Sequence, residues 1–153
     1  MRLAVPFLAE GIRAGQPCFL VASGDVLDAH IGALRLHDVD IDSATQGGNF
    51  VTLAGPGTTS EGALALWEQR FWPKLAGGET VLRVVGEMGY VRKVFASDAE
   101  MMRYEVAFNM LASRFPTVAL CHYDVREFDG EAIFQAIRAH PDLFSLHLGS
   151  FLS

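Results

Sequence analysis

The sequence predicts an α/β fold in which a mostly parallel sheet lies between two layers of helices. Short, strongly apolar runs typical of buried strands alternate with longer segments of helical periodicity along the chain. Hydrophobic residues make up 50% of the 153 residues and charged residues 20%, which is enough apolar material for one buried core. The sequence has no internal repeat and no linker-like segment, so residues 1–153 are interpreted as a single domain.

Nine segments predict the elements of this fold. In chain order they are helix 2–14, strand 18–22, helix 24–36, strand 50–54, helix 60–75, strand 81–85, helix 97–114, strand 117–121 and helix 130–139. Residues 143–148 alternate in polarity and predict an additional edge strand. The strands are apolar on both faces, as is typical of parallel sheets covered by helices on both sides.

The boundaries in the first half follow from turn and cap residues. Gly15 ends the first helix, and residues 23–25, Ser-Gly-Asp, supply a turn and an N-cap for the second. The Gly-Pro-Gly sequence at residues 55–57 separates the second strand from the third helix. Pro73 and the glycine pair 77–78 end that helix.

The second half has equally clear boundaries. Gly86 and Glu87 close the third strand. Ser97 with Glu100 at the third helical position forms the pattern of a capping box, and Pro116 ends that helix. The last helix ends before Pro141, because a residue that precedes proline disfavours helical backbone.

Charge and cysteine content exclude several classes of function. The net charge is -6 and no block of Lys or Arg occurs, which disfavours direct binding of nucleic acid or of an anionic membrane surface. No apolar run approaches the roughly 20 residues of a membrane span, so a cytoplasmic protein is expected. Cys18 and Cys121 form no CxxC pair, so we expect buried free thiols and no disulfide or zinc knuckle. His30 and His37 are expected at the surface.

The glycine loop at residues 55–60 does not qualify as a phosphate loop. It follows a strand and opens a helix, but it has no Lys to neutralise phosphate and lacks the P-loop spacing. A turn followed by an N-cap explains it, and no cofactor is expected.

In motor ATPases a carboxylate at the position of Glu87 acts on magnesium or water. Here Glu87 is either a solvated or helix-capping carboxylate or a pocket residue beyond a strand end.

Glu105 lies on the apolar side of the helix predicted at residues 97–114, between Met101 and Phe108. A carboxylate that points into a core must be paired, hydrogen-bonded or protonated. It is therefore either half of a buried ion pair, for example with Arg83, or a polar anchor in the wall of a ligand pocket.

Residues 121–124, Cys-His-Tyr-Asp, follow a buried strand and carry four chemically capable side chains. Strand alternation sends Cys121 and Tyr123 to one face and His122 to the other, so a Cys nucleophile would need a distant base such as His140 or His147. No metal-ligand spacing is recognisable either. Neither a catalytic nor a metal site is expected, which leaves a pocket edge or a buried Cys followed by an Asp-capped turn. The His140-Pro141 pair is explained by a helix end.

Several stretches resemble the signature sequences of the MEDS domain, the methanogen/methylotroph DcmR sensory domain. They are residues 82–88, 103–105, 120–124 and 140–141, preceded by an opening helix at residues 6–15. The resemblance implies a RecA/KaiC-like core without a phosphate loop. It also implies a sensor of small hydrocarbon derivatives, including one-carbon compounds, that works beside histidine kinases, DNA-binding regulators or anti-sigma-type proteins. The matching positions are Arg83, Glu87, Tyr104, Glu105, Cys121, Tyr123, Asp124 and His140.

The preferred hypothesis is thus a sensory module that binds a small, weakly polar organic ligand at the carboxyl edge of the sheet and regulates a signalling partner or output domain. This hypothesis predicts one pocket that is lined together by Glu87, Glu105, Cys121 and Tyr123. The alternatives are a degenerate ATPase-like scaffold that binds only protein, including its own copy as a homodimer, and a Cys-dependent enzyme. The family usually carries a short segment before its first helix, and because this chain begins at that helix, we expect one wall of the site to be absent. No output domain is recognised in the sequence either, so we interpret the chain as a stand-alone module or a fragment of a longer regulator.

Overall fold

The computed structural model describes residues 2–78 and 81–140. Within these residues the chain forms seven helices and four strands. They are α1 (Ala4–Arg13), β1 (Cys18–Val21), α2 (Gly24–Arg35), α3 (Ile41–Gln46), β2 (Phe50–Leu53), α4 (Ser60–Ala76), β3 (Leu82–Glu87), α5 (Met88–Val94), α6 (Asp98–Ala112), β4 (Thr117–His122) and α7 (Gly130–Ala139). Each of the nine predicted helices and strands is present within about two residues of its predicted bounds.

The four strands form one sheet in which every neighbouring pair is parallel, in the order β2-β1-β3-β4. The chain first leaves β1 for β2 on one side and then returns past β1 to β3 on the other. The strand order therefore reverses between β1 and β3. In open α/β sheets such a topological switch point opens a crevice beyond the carboxyl ends of the strands, where ligands usually bind.

Helices cover both faces of the sheet, which confirms the predicted three-layer α-β-α architecture. One core packs α1, α2 and α3 against the sheet through residues such as Leu8, Leu34 and Val85. The other core packs α4 to α7 against the opposite face and is dominated by aromatic rings, among them Phe19 and Trp67. The alternation of side chains along β1 and β3 distributes their residues between the two cores.

The close approach of α1 to the sheet depends on Gly11. A Cβ atom at this position would lie 2.6 Å from Sγ of Cys18 and 2.5 Å from Cδ of Arg83. Either separation is too short for carbon against a packed side chain, so glycine allows α1 to lie this close to β1 and β3.

Tyr104 belongs to the aromatic core between α4 and α6. Its hydroxyl accepts a hydrogen bond of 2.9 Å from Nε1 of Trp67, and its ring stacks on Phe95. Only 4% of the residue is exposed. Because both its ring and its hydroxyl are engaged in the interior, the structure assigns Tyr104 a role in packing.

Two short helices were not expected from the sequence. The helix α3 has six residues and α5 has seven, too few to show a helical repeat of apolar positions. Asp40 caps α3 by accepting a hydrogen bond from the backbone N–H of Ser43. The edge strand expected at residues 143–148 lies outside the described residues. In the described part of the chain no helix is both long and apolar enough to cross a membrane.

The predicted capping box at the start of α6 forms only in part. Ser97 accepts a hydrogen bond from the backbone N–H of Glu100, as expected. The carboxylate of Glu100, however, accepts bonds from the backbone N–H and the hydroxyl of Ser60, at 3.0 and 2.8 Å. Glu100 therefore caps α4 instead of its own helix and joins the N-termini of the two helices.

Candidate functional site

Polar side chains at the carboxyl edge of the sheet gather in two clusters on opposite faces. We call His30, Glu87 and His122 the Glu87 cluster; it lies on the face covered by α1 to α3. The Glu105 cluster consists of Glu105, Cys121, Tyr123 and His140 and lies on the face covered by α6 and α7. Strand alternation produces this division, because His122 points to one face of β4 while Cys121 and Tyr123 point to the other.

In the Glu87 cluster, one carboxylate oxygen contacts two imidazole rings. Oε1 of Glu87 lies 2.9 Å from Nε2 of His30 and 3.1 Å from Nδ1 of His122. Glu87 ends β3, His30 comes from α2 and His122 ends β4, so the cluster ties three elements together at the switch point. The His30 side chain is fully buried, whereas 16% of Glu87 and 39% of His122 are exposed. The expected surface position of His30 is therefore wrong.

The surroundings of His30 determine its protonation. Its Nδ1 lies 2.8 Å from the carbonyl oxygen of Val26, four residues earlier in α2, and its Nε2 faces Glu87. Both ring nitrogens thus face acceptors, and both need a proton to make favourable contacts. Burial alone would lower the pKa of His30, but the contacts with Glu87 and Val26 outweigh it and raise the pKa above its ordinary value.

The carboxylate of Glu87 is held in its charged form. Burial would raise its pKa, but the contacts with His122 and His30 outweigh burial and lower the pKa to about 2. Glu87 is the N-cap residue of α5, yet its side chain makes no cap hydrogen bond. Glu87 therefore lies in the wall of a cleft, as one interpretation of the sequence predicted, and it does not cap α5.

A cleft of about 550 Å³ opens over the Glu87 cluster, and we call it the switch-point cleft. Its lining combines the cluster with residues from the start of α2 and the segment after β4: Asp25, Val26, Ala29, His30, Glu87, His122, Tyr123, Asp124, Val125 and Arg126. A second cleft of about 380 Å³ shares Val26, Glu87, His122 and Asp124 with it. The structure therefore places a concave surface where doubly wound sheets usually hold ligands.

Asp124 lines the switch-point cleft while it fixes the turn after β4. Its Oδ1 accepts hydrogen bonds from the guanidinium and from the backbone N–H of Arg126, both at 2.9 Å. These bonds lower the pKa of Asp124 to about 2. Asp124 thus has both of the positions considered for it, at the pocket edge and in a side-chain-capped turn.

In the Glu105 cluster, three donors converge on one buried carboxylate. Glu105 of α6 is 2% exposed. The hydroxyl of Tyr123 donates to Oε2 at 3.0 Å, Sγ of Cys121 donates to Oε1 at 3.9 Å, and Nε2 of His140 lies 3.2 Å from Oε2. Glu105 is therefore half of a buried ion pair, but its partner is His140 and not Arg83.

His140 repeats the arrangement found at His30. Its Nδ1 lies 2.7 Å from the carbonyl oxygen of Ala136, four residues earlier, while its Nε2 faces Glu105. The contact with Glu105 raises the pKa of His140 above its ordinary value. Both ring nitrogens of His140 thus face acceptors, and the contact with Glu105 gives this residue a role beyond ending α7.

The Cys121 thiol remains protonated in this environment. Burial, followed by the negative charge of Glu105, raises its pKa well above the ordinary value. The same two causes raise the pKa of Tyr123. Both side chains act as hydrogen-bond donors to Glu105, and in this state Cys121 lacks the thiolate that a nucleophile requires.

Arg83 lies away from both clusters, and its suggested pairing with Glu105 is wrong. Its guanidinium donates to Oε1 of Gln16 at 2.7 Å and to the carbonyl of Phe7 at 2.8 Å, and it stacks over the Phe7 ring. Arg83 shares the α1 face of β3 with Glu87, whereas Glu105 packs on the other face. Arg83 therefore fastens α1 to the sheet.

The expectation of one pocket lined by Glu87, Glu105, Cys121 and Tyr123 is also wrong, because the sheet separates the two carboxylates. Glu87 and Tyr123 line the switch-point cleft. Glu105 and Cys121 line a cleft of about 710 Å³ beside β4, α6 and the end of α7. Cys121, Tyr123 and His140 also line a more apolar cleft of about 280 Å³.

Two histidines of the Glu87 cluster were missed as site residues. His122 was assigned to the face opposite Cys121, but its partner Glu87 could not be identified without the strand register that places the two side by side. A signal for His30 was present in the sequence. It precedes the buried Leu34 by one helical turn, so its inward position follows from the periodicity of α2.

Comparisons with known proteins place these features in a family context. The family model described as MEDS, methanogen/methylotroph DcmR sensory domain, matches residues 1–141. A curated relative, the transcriptional repressor DcmR of Methylorubrum extorquens, is 34% identical over 149 residues. The similarity covers 97% of this chain but 56% of the repressor, so the chain spans a little over half the length of that relative.

Proposed function

The chain belongs to the MEDS family of sensory domains, and on this basis we propose that it binds a small organic ligand in the switch-point cleft and thereby regulates an output domain or partner protein. The observation that carries the proposal is the buried contact between His30 and Glu87 in the wall of that cleft. It places a charged, preorganised polar pair beside apolar side chains at the position where α/β sheets usually bind ligands.

The lining of the cleft favours a particular ligand chemistry. Val26, Ala29 and Val125 supply apolar surface, which would provide much of the affinity. The charges of His30 and Glu87 compensate each other, as do those of Asp124 and Arg126, while Asp25 adds a carboxylate. An anionic ligand is therefore disfavoured, and a neutral molecule with a hydroxyl or another hydrogen-bond donor fits best.

The same cluster offers a route from ligand to output. His30 belongs to α2, His122 ends β4, and both contact Glu87 at the end of β3. A ligand that binds better to one arrangement of these three elements would shift the population towards it. Transcription is the proposed output because the curated relative is a transcriptional repressor. A cytoplasmic location and a signalling partner are part of the same proposal.

Thermal shift measurements with four classes of small molecule test ligand binding: short alcohols, aldehydes, halomethanes and carboxylic acids. We expect short alcohols to raise the melting temperature in a saturable way and acids to have less effect. His122→Ala should weaken the response, and His37→Ala, on the exit of α2, serves as the matched control. A screen in which no class stabilises the protein, or in which His122→Ala leaves the response unchanged, would contradict the proposal.

The other two hypotheses have less support. A thiol enzyme would need a Cys121 thiolate, which burial and Glu105 oppose. A scaffold without ligand would not need a charged pair in the wall of a cleft, since such pairs are costly to desolvate. We therefore propose no catalytic role for this domain.

A further inference from the structure

Three side chains that ligate metal ions meet in the Glu105 cluster. A carboxylate oxygen of Glu105, Sγ of Cys121 and a ring nitrogen of His140 all lie within 4.8 Å of one another. We propose that Glu105, Cys121 and His140 form a binding site for Zn²⁺, with one ligand atom from each residue. The site lies on the opposite face of the sheet from the Glu87 cluster and shares no ligand residue with it.

The separations between the ligand atoms suit a zinc ion. Nε2 of His140 lies 3.2 Å from Oε2 of Glu105, and Sγ of Cys121 lies 3.9 Å from Oε1. Zinc binds sulfur at about 2.3 Å and nitrogen or oxygen at about 2.0–2.1 Å, so tetrahedral ligands stand about 3.3–3.7 Å apart. These two distances involve different oxygens of Glu105, and the set with one atom from each residue lies within 4.8 Å. Side-chain rotations of Cys121 and Glu105 must therefore close the set by up to about 1.5 Å to admit the ion.

The chemistry of the donors selects a zinc-like ion. A thiolate together with an imidazole suits Zn²⁺ and related transition metals, whereas Mg²⁺ and Ca²⁺ prefer oxygen ligands alone. Three protein ligands leave one tetrahedral position open, which is typical of zinc sites that accept a further ligand. Cys121 and His140 border clefts of about 280 and 710 Å³, which offer a path for the ion and space for that ligand.

The donors are also oriented as ligands usually are. Nδ1 of His140 donates to the carbonyl oxygen of Ala136, which directs Nε2 towards Glu105 and Cys121. A hydrogen bond from the second ring nitrogen is the usual support of a metal-bound histidine. The hydroxyl of Tyr123 holds the Glu105 carboxylate in the same way, at 3.0 Å from Oε2. His30 has the same backbone bond, but its cluster contains no thiol.

Zinc binding exchanges protons for metal. The ion replaces the S–H proton of Cys121 and the Nε2 proton that His140 directs towards Glu105, and both protons pass to solvent. The cluster then holds Zn²⁺, a carboxylate, a thiolate and a neutral imidazole, with no net charge. The ion therefore compensates the charge of the buried Glu105 carboxylate.

Cobalt provides a spectroscopic test, because a bond between thiolate and Co²⁺ produces a near-ultraviolet charge-transfer band. The full chain is treated with a chelator, dialysed and titrated with Co²⁺. We expect the band to saturate at one ion per chain and to disappear when Zn²⁺ is added. Cys121→Ser should abolish the band, and His140→Gln should weaken binding at least tenfold. Cys18→Ser is the matched control, since Cys18 is a buried thiol whose described hydrogen bonds go to the backbone carbonyls of Leu8 and Gln16.

The titration of the wild-type chain is decisive by itself. If Co²⁺ produces no charge-transfer band, or if the band does not saturate near one ion per chain, the proposal is wrong, whether or not the variants fold. A band that persists in Cys121→Ser, with the control unchanged, would likewise overturn it.

Discussion

Nε2 of His30 lies 2.9 Å from Oε1 of Glu87, and the contact joins the buried face of α2 to the carboxyl end of β3. The two residues are far apart in sequence. They meet because β3 lies beside β1 in the sheet and α2 follows β1 in the chain. The carbonyl oxygen of Val26 lies 2.8 Å from the other ring nitrogen, so both nitrogens of the buried ring face an acceptor. The free energy of unfolding should therefore depend on pH through this pair.

We expect the pair to stabilise the fold most between about pH 4.5 and 6.5, the ordinary pKa values of Glu and His. The pKa of Glu87 is lowered to about 2, so its contribution is present above about 4.5 and is lost as pH falls towards 2. The pKa of His30 is raised, so its contribution is present below about 6.5 and is lost as pH rises through the raised value.

Urea unfolding of wild type and Glu87→Gln across this range measures the effect. At pH 5.5 we expect the substitution to lower the free energy of unfolding by about 1–3 kcal/mol, with a smaller difference at pH 9. Asp42→Asn, which alters an exposed pair with Arg35, is the control and should show no such profile. A pH-independent difference would contradict the paired state of His30 and Glu87.

Glu105→Ala should destabilise the protein by more than about 1 kcal/mol, because it leaves Tyr123 and His140 without their buried acceptor. Chemical unfolding of the metal-free chain measures this difference. Glu68→Ala is a suitable control, since Glu68 pairs with Arg114 at the surface. Equal effects of the two substitutions would show that the Glu105 cluster does not stabilise the fold.

Gly11→Ala and Gly32→Ala form a matched pair of helix substitutions. A methyl group at Gly11 would meet Cys18 and Arg83, so we expect a loss of about 1–3 kcal/mol. At Gly32 of α2 a Cβ would meet nothing within 4 Å, and alanine should stabilise the helix by about 0.5–1 kcal/mol. Thermal unfolding compares the two. A Gly11→Ala variant as stable as wild type would mean that α1 packs less closely than described.

ATP with magnesium should not raise the melting temperature. The glycine loop lacks a P-loop Lys, and the structure adds a second reason. The N-terminus of α4, where a phosphate would bind, is already occupied by the Glu100 carboxylate, which accepts bonds from the N–H and hydroxyl of Ser60. Magnesium-dependent stabilisation by ATP would contradict this interpretation.

Most of the fold could be predicted from local patterns. The apolar runs and their caps identified the four strands and five longer helices, because each is long enough to show periodicity and has clear stop residues. The helices α3 and α5 could not be predicted in the same way, since six and seven residues make fewer than two helical turns. The strand order could not be read from sequence either, because it depends on long-range pairing.

Some residues of the candidate site could be predicted one by one, but their arrangement could not. Glu87, Cys121 and Tyr123 stood out as polar side chains at strand ends, and helix periodicity placed Glu105 on an inward face. Their partners come from distant segments, with His30 on α2 and His140 at the end of α7. No spacing pattern links such residues, so the metal-ligand set of Glu105, Cys121 and His140 became visible only in three dimensions.

NMR of the histidine side chains during titration with short primary alcohols shows whether a small ligand occupies the switch-point cleft. We expect saturable shifts of the His30 and His122 ring signals, with the His37 signals unchanged. Shifts confined to His140, or none that saturate, would contradict it.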